Sequence, residues 1–167
     1  MKLSSHTKFG SGHHRRWMER LPIMEKPTFD TSPFIKTCFE VWEQSNPARM
    51  GEPFLAVQPL AGISFDGVGS LLRKHDANLA ALITAWNPGR LESADYNQAA
   101  NQRLLEALQG SGLAVYPARG TALAGDWFED SYLVVGGTYN QYLSWQKMFE
   151  QLAFVVFRTD GAVELRW

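Results

Sequence analysis

Eight residues constrain this chain more than any others. Leu79 to Trp86 (LAALITAW) form an apolar run between two polar turns, Asp76-Ala77-Asn78 before it and Asn87-Pro88-Gly89 after it. A run of that length, bounded by turn signals, predicts a strand buried on both faces. A two-sided strand needs neighbours in its sheet and a layer of structure above and below. Ser93 then caps a predicted helix that carries Asp95 in its first turn, runs to Gln109 and stops at Gly110 and Gly112. Leu113 to Tyr116 reads as the next strand, closed by Pro117. A strand–helix–strand unit normally lays its two strands parallel through a right-handed crossover.

The rest of the chain is read around that unit. Ser32 can cap a helix beginning at Pro33, and Phe34, Cys38, Val41 and Trp42 recur at helical spacing towards Gln44, with a stop at Asn46-Pro47. Phe54 to Phe65 reads as extended chain turned at Pro59 and Gly62, and Asp66-Gly67 as a turn before a short helix at 68–74. Gly120 to Asp126 reads as loop and Tyr132 to Val135 as a strand. A helix capped by Thr138 is expected over 139–151, and a C-terminal hairpin folds about Asp160-Gly161. The fold expected is α/β or α+β: a single domain with a mixed sheet flanked by helices and ending in a C-terminal hairpin.

Composition limits what such a domain can do. Residues 1–26 hold six basic residues against two acids, leaving ten against fifteen in the remainder. That asymmetry predicts a flexible basic tail over 1–24 and an acidic globular domain over 25–167. Met18 and Met24 are candidate internal starts. An acidic body is a poor grip for a phosphate backbone, so nucleic acid is not the expected partner. No stretch approaches the roughly 20 apolar residues of a membrane span, so no membrane partner is expected and the cytoplasm is the expected compartment. The single cysteine, Cys38, allows no intrachain disulfide and reads as a small buried hydrophobe. No cofactor is implied. His13-His14 lack further ligands at metal-binding spacing, so no metal is expected either.

Candidate chemistry gathers around the central helix. Asn97, Asn101, Leu104, Leu105 and Leu108 share one stripe. Its leucine half must face the sheet, so the two asparagines face inward too, beside the end of the 79–86 strand. Buried amides need hydrogen-bond partners. They either tie down the Trp86-Asn87-Pro88 turn or line a pocket, and the spacing allows both. Trp127, Glu129 and Ser131 alternate, so in extended chain they share a face and could hold a planar, polar ligand. The alternative places Trp127 in the core and Glu129 in solvent. Gly136-Gly137-Thr138 and Gly67-Val68-Gly69 are weak anion-loop signals, the latter without the lysine of a phosphate loop.

Four ordered motifs go further. Ile83-Thr84-Ala85-Trp86-Asn87-Pro88, then Asn97 with Asn101 and Leu104, then Trp127, Glu129 and Ser131, then Phe149, Gln151 and Ala153 resemble the bacterial family called domain of unknown function 3293, over roughly residues 33–165. The resemblance brings no activity with it. The positions that carry it are mostly polar or aromatic, which points to a shared polar site rather than to packing alone. The expectation is therefore a small polar, nucleotide-like ligand, with catalysis open. Trp86, Asn87, Asn97, Asn101, Trp127, Ser131 and Gln151 would bind it, and Glu129 would be the acid or base. The alternative is a non-enzymatic interaction module in which the aromatics from Tyr139 to Trp145 are exposed anchors for a protein partner.

Overall fold

The computed structural model describes residues 28–43, 52–57, 66–125 and 127–167. The expected basic tail, the stop at Asn46-Pro47 and the turn at Pro59 and Gly62 lie outside the described residues. The elements run α1 (Ser32–Ile35), β1 (Thr37–Val41), β2 (Leu55–Val57), α2 (Asp66–Lys74), β3 (Leu79–Ile83), α3 (Ala94–Gln109), β4 (Ala114–Ala122), β5 (Phe128–Val135), α4 (Tyr139–Met148), β6 (Phe154–Arg158) and β7 (Val163–Arg166). One seven-stranded sheet has the order β2-β1-β4-β5-β3-β6-β7.

Every neighbouring pair in that sheet is antiparallel, so the expected mixed sheet is corrected and the fold is α+β. The reason lies in β5. It turns back from β4 and inserts between β4 and β3, pairing Tyr116 with Leu133 on one side and Leu82 with Leu133 on the other. Strands β3 and β4 therefore do run the same way, as the crossover predicts, but they never touch. The β4–β5 hairpin also absorbs residues expected as loop. Gly120 to Ala122 belong to β4, and β5 begins at Phe128 rather than Tyr132. Pro117 sits inside β4 instead of closing it. Its carbonyl accepts from the Trp42 N–H at 2.9 Å, just past the end of β1. Its backbone therefore faces the side where that ladder runs out, and its missing N–H breaks nothing.

The long helix expected from Pro33 is a second correction. Helix α1 is one turn, and Cys38, Val41 and their neighbours form β1. The Thr37 hydroxyl donates to the Pro33 carbonyl at 2.7 Å and closes that turn. The chain then pairs with β2 on one side and β4 on the other. Hydrogen bonds to two neighbours outweigh an apolar spacing that fits a helix only over this stretch. Cys38 is half-buried on β1, and burial beside Glu40 pushes its thiol pKa up.

The two-sided character of β3 is as predicted. Ala80 and Leu82 join a core with Val68, Leu71 and Leu72 of α2, while Ala81 and Ile83 join the opposite core with Leu104 and Leu108 of α3 and Tyr142 and Trp145 of α4. Both longer helices are capped where expected. Ser93 accepts from the Tyr96 N–H, and Thr138 forms a capping box with Gln141. Helix α2 begins at Asp66, so the expected turn is its first residues. A Cβ at Gly67 would stand 2.1 Å from Leu55 Cδ1, so glycine there allows α2 and β2 to close together.

The two faces are covered unequally. Six strand spacings make the sheet roughly 29 Å wide. One nine-residue helix is about 14 Å long, so α2 cannot span its face as α3 and α4 together span the other. Among the described residues, α2 leaves the outer part of its face open. Leu104 is fully buried between sheet and helix. Leu104→Ala should cost about 2–5 kcal/mol in urea unfolding, whereas Leu91→Ala, at a residue 90% exposed, should stay within about 0.5 kcal/mol of the parent.

Candidate functional site

Strand β3 ends at Ile83, but its polypeptide must still satisfy the backbone groups of residues 84–87 beside β5. Helix α3 supplies the partners. The Ala85 N–H donates to Asn101 Oδ1 at 3.0 Å, and Asn101 Nδ2 donates to the Asp130 carbonyl at 2.8 Å. One side chain thus bridges the end of β3 to β5. Thr84 makes the same crossing from the strand side. Its hydroxyl donates to the Asp130 carbonyl at 2.7 Å and accepts from the Trp86 N–H at 2.9 Å.

Asn97 holds the next residue. The Asn87 N–H donates to Asn97 Oδ1 at 2.8 Å, and Asn97 Nδ2 donates back to Asn87 Oδ1 at 2.9 Å. Asn87 Oδ1 also accepts from the Glu92 N–H at 3.1 Å. That backbone donor decides which way the Asn87 amide points. Its Nδ2 therefore faces Glu129, donating to Oε1 at 3.1 Å. Asn87 adopts a left-handed backbone, φ 49°, which asparagine tolerates better than most residues. The result is a chain of side chains, Asn97 to Asn87 to Glu129, in which both amide Nδ2 groups donate towards the carboxylate.

Glu129 lies on the α2 face of the sheet, where β5 places Glu129, Ser131 and Leu133 on one side. A cleft of about 450 Å³ opens there. Its floor includes Leu82, Thr84, Glu129, Ser131 and Val155, one wall is Thr37, Phe39 and Phe34, and Trp86, Trp127, Phe128, Leu91 and Leu152 surround it. None of the described α2 side chains lines it, which follows from the partial coverage of that face. Gly120 keeps the wall close, since a Cβ there would stand 2.8 Å from Phe39 Cε1. Trp86 and Phe128 pack with ring centroids 6.0 Å apart, and the Arg119 guanidinium lies over the Phe128 ring, 4.5 Å from its centroid.

The eight expected site residues divide into two groups. Trp86, Asn87, Trp127, Glu129, Ser131 and Gln151 line the cleft. Asn97 and Asn101 do not. They are 2% and 4% exposed and lie behind it, tying down the turn. Gln151 does both, donating from Nε2 to the Trp86 carbonyl at 3.2 Å. Several lining residues were not anticipated. The available signal for Thr84 is that it is the one hydroxyl in the apolar run 79–86. Phe34, Thr37 and Phe39 were hidden by the helical reading of β1. The aromatics Tyr142 and Trp145 are core residues, 0% and 8% exposed, so they are not the exposed anchors considered for an interaction module.

Two groups in the cleft are not at rest. Burial pushes the Glu129 pKa above the ordinary glutamate value, against the smaller opposing effect of the Asn87 amide. The Ser131 hydroxyl is buried and has no hydrogen-bond partner, a state that costs about 1–3 kcal/mol. Among the described residues no cluster of His, Cys, Asp or Glu could hold a metal ion, and no helix is long and apolar enough to cross a membrane.

Residues 83–154 match the model of a family described as Protein of unknown function (DUF3293), the family that the sequence motifs resemble. The match is narrower than the motifs suggested, yet it contains all eight expected site residues. The β1 wall of the cleft lies outside it. No curated protein and no solved structure matches the chain.

Two outcomes follow from this geometry. Asn101→Ala strips the Ala85 N–H of its partner and should lower stability by about 1–3 kcal/mol in chemical denaturation. Glu129→Gln keeps the acceptor for Asn87 and removes the charge. A carboxyl whose pKa is raised in the native state holds its proton more tightly there than in the unfolded chain. Its ionisation therefore destabilises the fold as pH rises through that window. The variant should melt higher than the parent at pH 7, with the gain shrinking towards pH 4, as read by thermal unfolding at both pH values.

Proposed function

We propose that the DUF3293 segment of this chain, completed by β1, binds a small planar ligand in the cleft on the α2 face. The single observation that carries this reading is the cleft's construction. An apolar, aromatic-rimmed concavity converges on one half-buried carboxylate, held in place from behind by an amide chain. Ligand sites are commonly concave and mostly apolar with a few placed polar groups. A carboxyl kept above its ordinary pKa by burial is the kind of group such sites collect.

The division of labour follows from the contacts. Trp86, Phe128 and Trp127 offer faces to a ring. Glu129 and Ser131 offer polar ends, and Asn87 orients Glu129. Gln151 holds the Trp86 carbonyl and so the position of its indole. Asn97 and Asn101 position rather than touch. Glu129 is the one group on the floor able to move a proton, so any catalysis here would run through it. A carboxylate held partly out of water with a single amide donor, at some cost in stability, is the usual trade of stability for function.

A thermal-shift screen of planar heterocycles and nucleosides tests the reading, because a ligand of the native state raises its melting temperature. Hits should perturb the indole N–H resonances of Trp86 and Trp127 and leave that of Trp145 in place. Trp127 is 37% exposed, so Trp127→Ala should fold normally and weaken a hit by about tenfold, the loss of one aromatic contact of about 1.4 kcal/mol. Hits that move Trp145 alone, or that bind Trp127→Ala as tightly as the parent, would count against the cleft.

A further inference from the structure

The charges around the cleft select a kind of head group. Asp30 and Glu129 are the ionisable residues among the described lining, which holds no Lys, Arg or His. Asp30 sits at the α1 wall, where the Ser32 N–H and hydroxyl donate to its oxygens at 2.9 and 2.8 Å and hold its carboxyl below the ordinary aspartate range. It stays ionised. Arg119, which lies over the rim residue Phe128, is already engaged, with Nε 2.7 Å from Asp130 Oδ1. Among the described lining residues a phosphate or carboxylate would meet two acids and no cation, while Lys36, outside the lining, acts by its charge on Asp30. The nucleotide-like ligand expected from the sequence is thereby narrowed to its base end.

The polar atoms that remain free point the same way. Asn87 occupies Glu129 Oε1, and among the described residues Oε2 takes no hydrogen bond. Ser131, 4% exposed, leaves its hydroxyl unpartnered on the same face of β5. Two residues along a strand are separated by roughly 6.6 Å. A forked head with two N–H groups, each making a bond of about 2.9 Å, bridges that spacing between a carboxylate oxygen and a hydroxyl. Charge-assisted bonds to carboxylates are the strong ones, and planar forks satisfy them best.

Resting on the ligand-binding reading above, we propose that the cleft selects a planar cation, an amidinium, a guanidinium or a protonated amino-heterocycle. Its N–H groups donate to Glu129 Oε2 and the Ser131 hydroxyl while its ring lies against Trp86 and Phe128.

Three isosteric probes test this on the full chain: benzamidine, benzamide and benzoate, followed by thermal shift and by the indole resonances of Trp86 and Trp127. Benzamidine should bind most tightly, benzamide weakly and benzoate not at all. Glu129→Gln should weaken benzamidine by about tenfold or more, as loss of one charge-assisted contact does, and change benzamide little. Ser131→Ala, which removes only an unpartnered hydroxyl, keeps the test open should Glu129→Gln fold poorly, and should weaken benzamidine by a smaller factor. Benzoate binding as well as benzamidine, or benzamidine binding Glu129→Gln or Ser131→Ala as it binds the parent, overturns the charge selection. If benzamide or benzoate moves both indoles and benzamidine does not, the cation proposal falls and the cleft reading stands. If none of the three reaches those indoles, the cleft reading fails and takes the cation with it.

Discussion

The bridge made by Asn101 is the contact on which the organisation of this molecule turns. Where β3 leaves the sheet, the buried Ala85 N–H finds its acceptor in Asn101 rather than in β5, whose Asp130 carbonyl accepts from the Thr84 hydroxyl and from Asn101 itself. A single amide from α3 satisfies both strands at once. It also sets how far α3 can slide or rotate over the sheet, since Leu104 and Leu108 share its stripe. The direction in which residues 86–92 depart depends on it, and so does everything those residues hold in place.

That turn carries consequences to the opposite face of the sheet. Asn97 and Asn101 lie on the α3 face, yet the Asn97–Asn87–Glu129 chain passes their influence across the edge of β3 to a carboxylate on the α2 face. The helix that anchors the site and the cleft that displays it are thus on different sides of one sheet. The arrangement is possible because α3 and α4 seal one face with a full core while α2, a single short helix, leaves part of the other face open. Desolvation of Glu129 in that opening is a cost to the fold, and the unpartnered Ser131 hydroxyl is another. Both lie on the cleft floor, where a bound donor would offset them.

Legibility in the sequence tracked the range of the forces involved. Helices α3 and α4 were readable because their caps, Ser93 and Thr138, are local hydrogen bonds written within a few residues. The inward aim of Asn97 and Asn101 was readable because a helix places residues four apart on one side. By contrast, β1 was misread as helix. Phe34, Cys38, Val41 and Trp42 fit a helical spacing, and nothing local announces that Thr37 to Val41 will be paired on both edges. That error hid the Phe34, Thr37 and Phe39 wall of the cleft. The aromatics of α4 show the complementary lesson. Their abundance suggested an exposed patch, but Tyr142 and Trp145 are buried where α4 meets the sheet.

What the sequence by itself determined is the local part: a two-sided strand starting at Leu79, expected to run to Trp86 and ending at Ile83, a capped helix after it with its amides turned inward, and Glu129 and Ser131 sharing a face. These follow from periodicity, capping and burial cost, which act over a few residues. Only the tertiary structure decided that β5 would insert between β3 and β4, making the sheet antiparallel throughout. It also decided that Asn97 and Asn101 would support the cleft from behind while Glu129 and Ser131 form its floor. Strand order is set by which apolar faces and unpaired edges find one another across the whole chain, and closure over such distances leaves no period in the sequence to read.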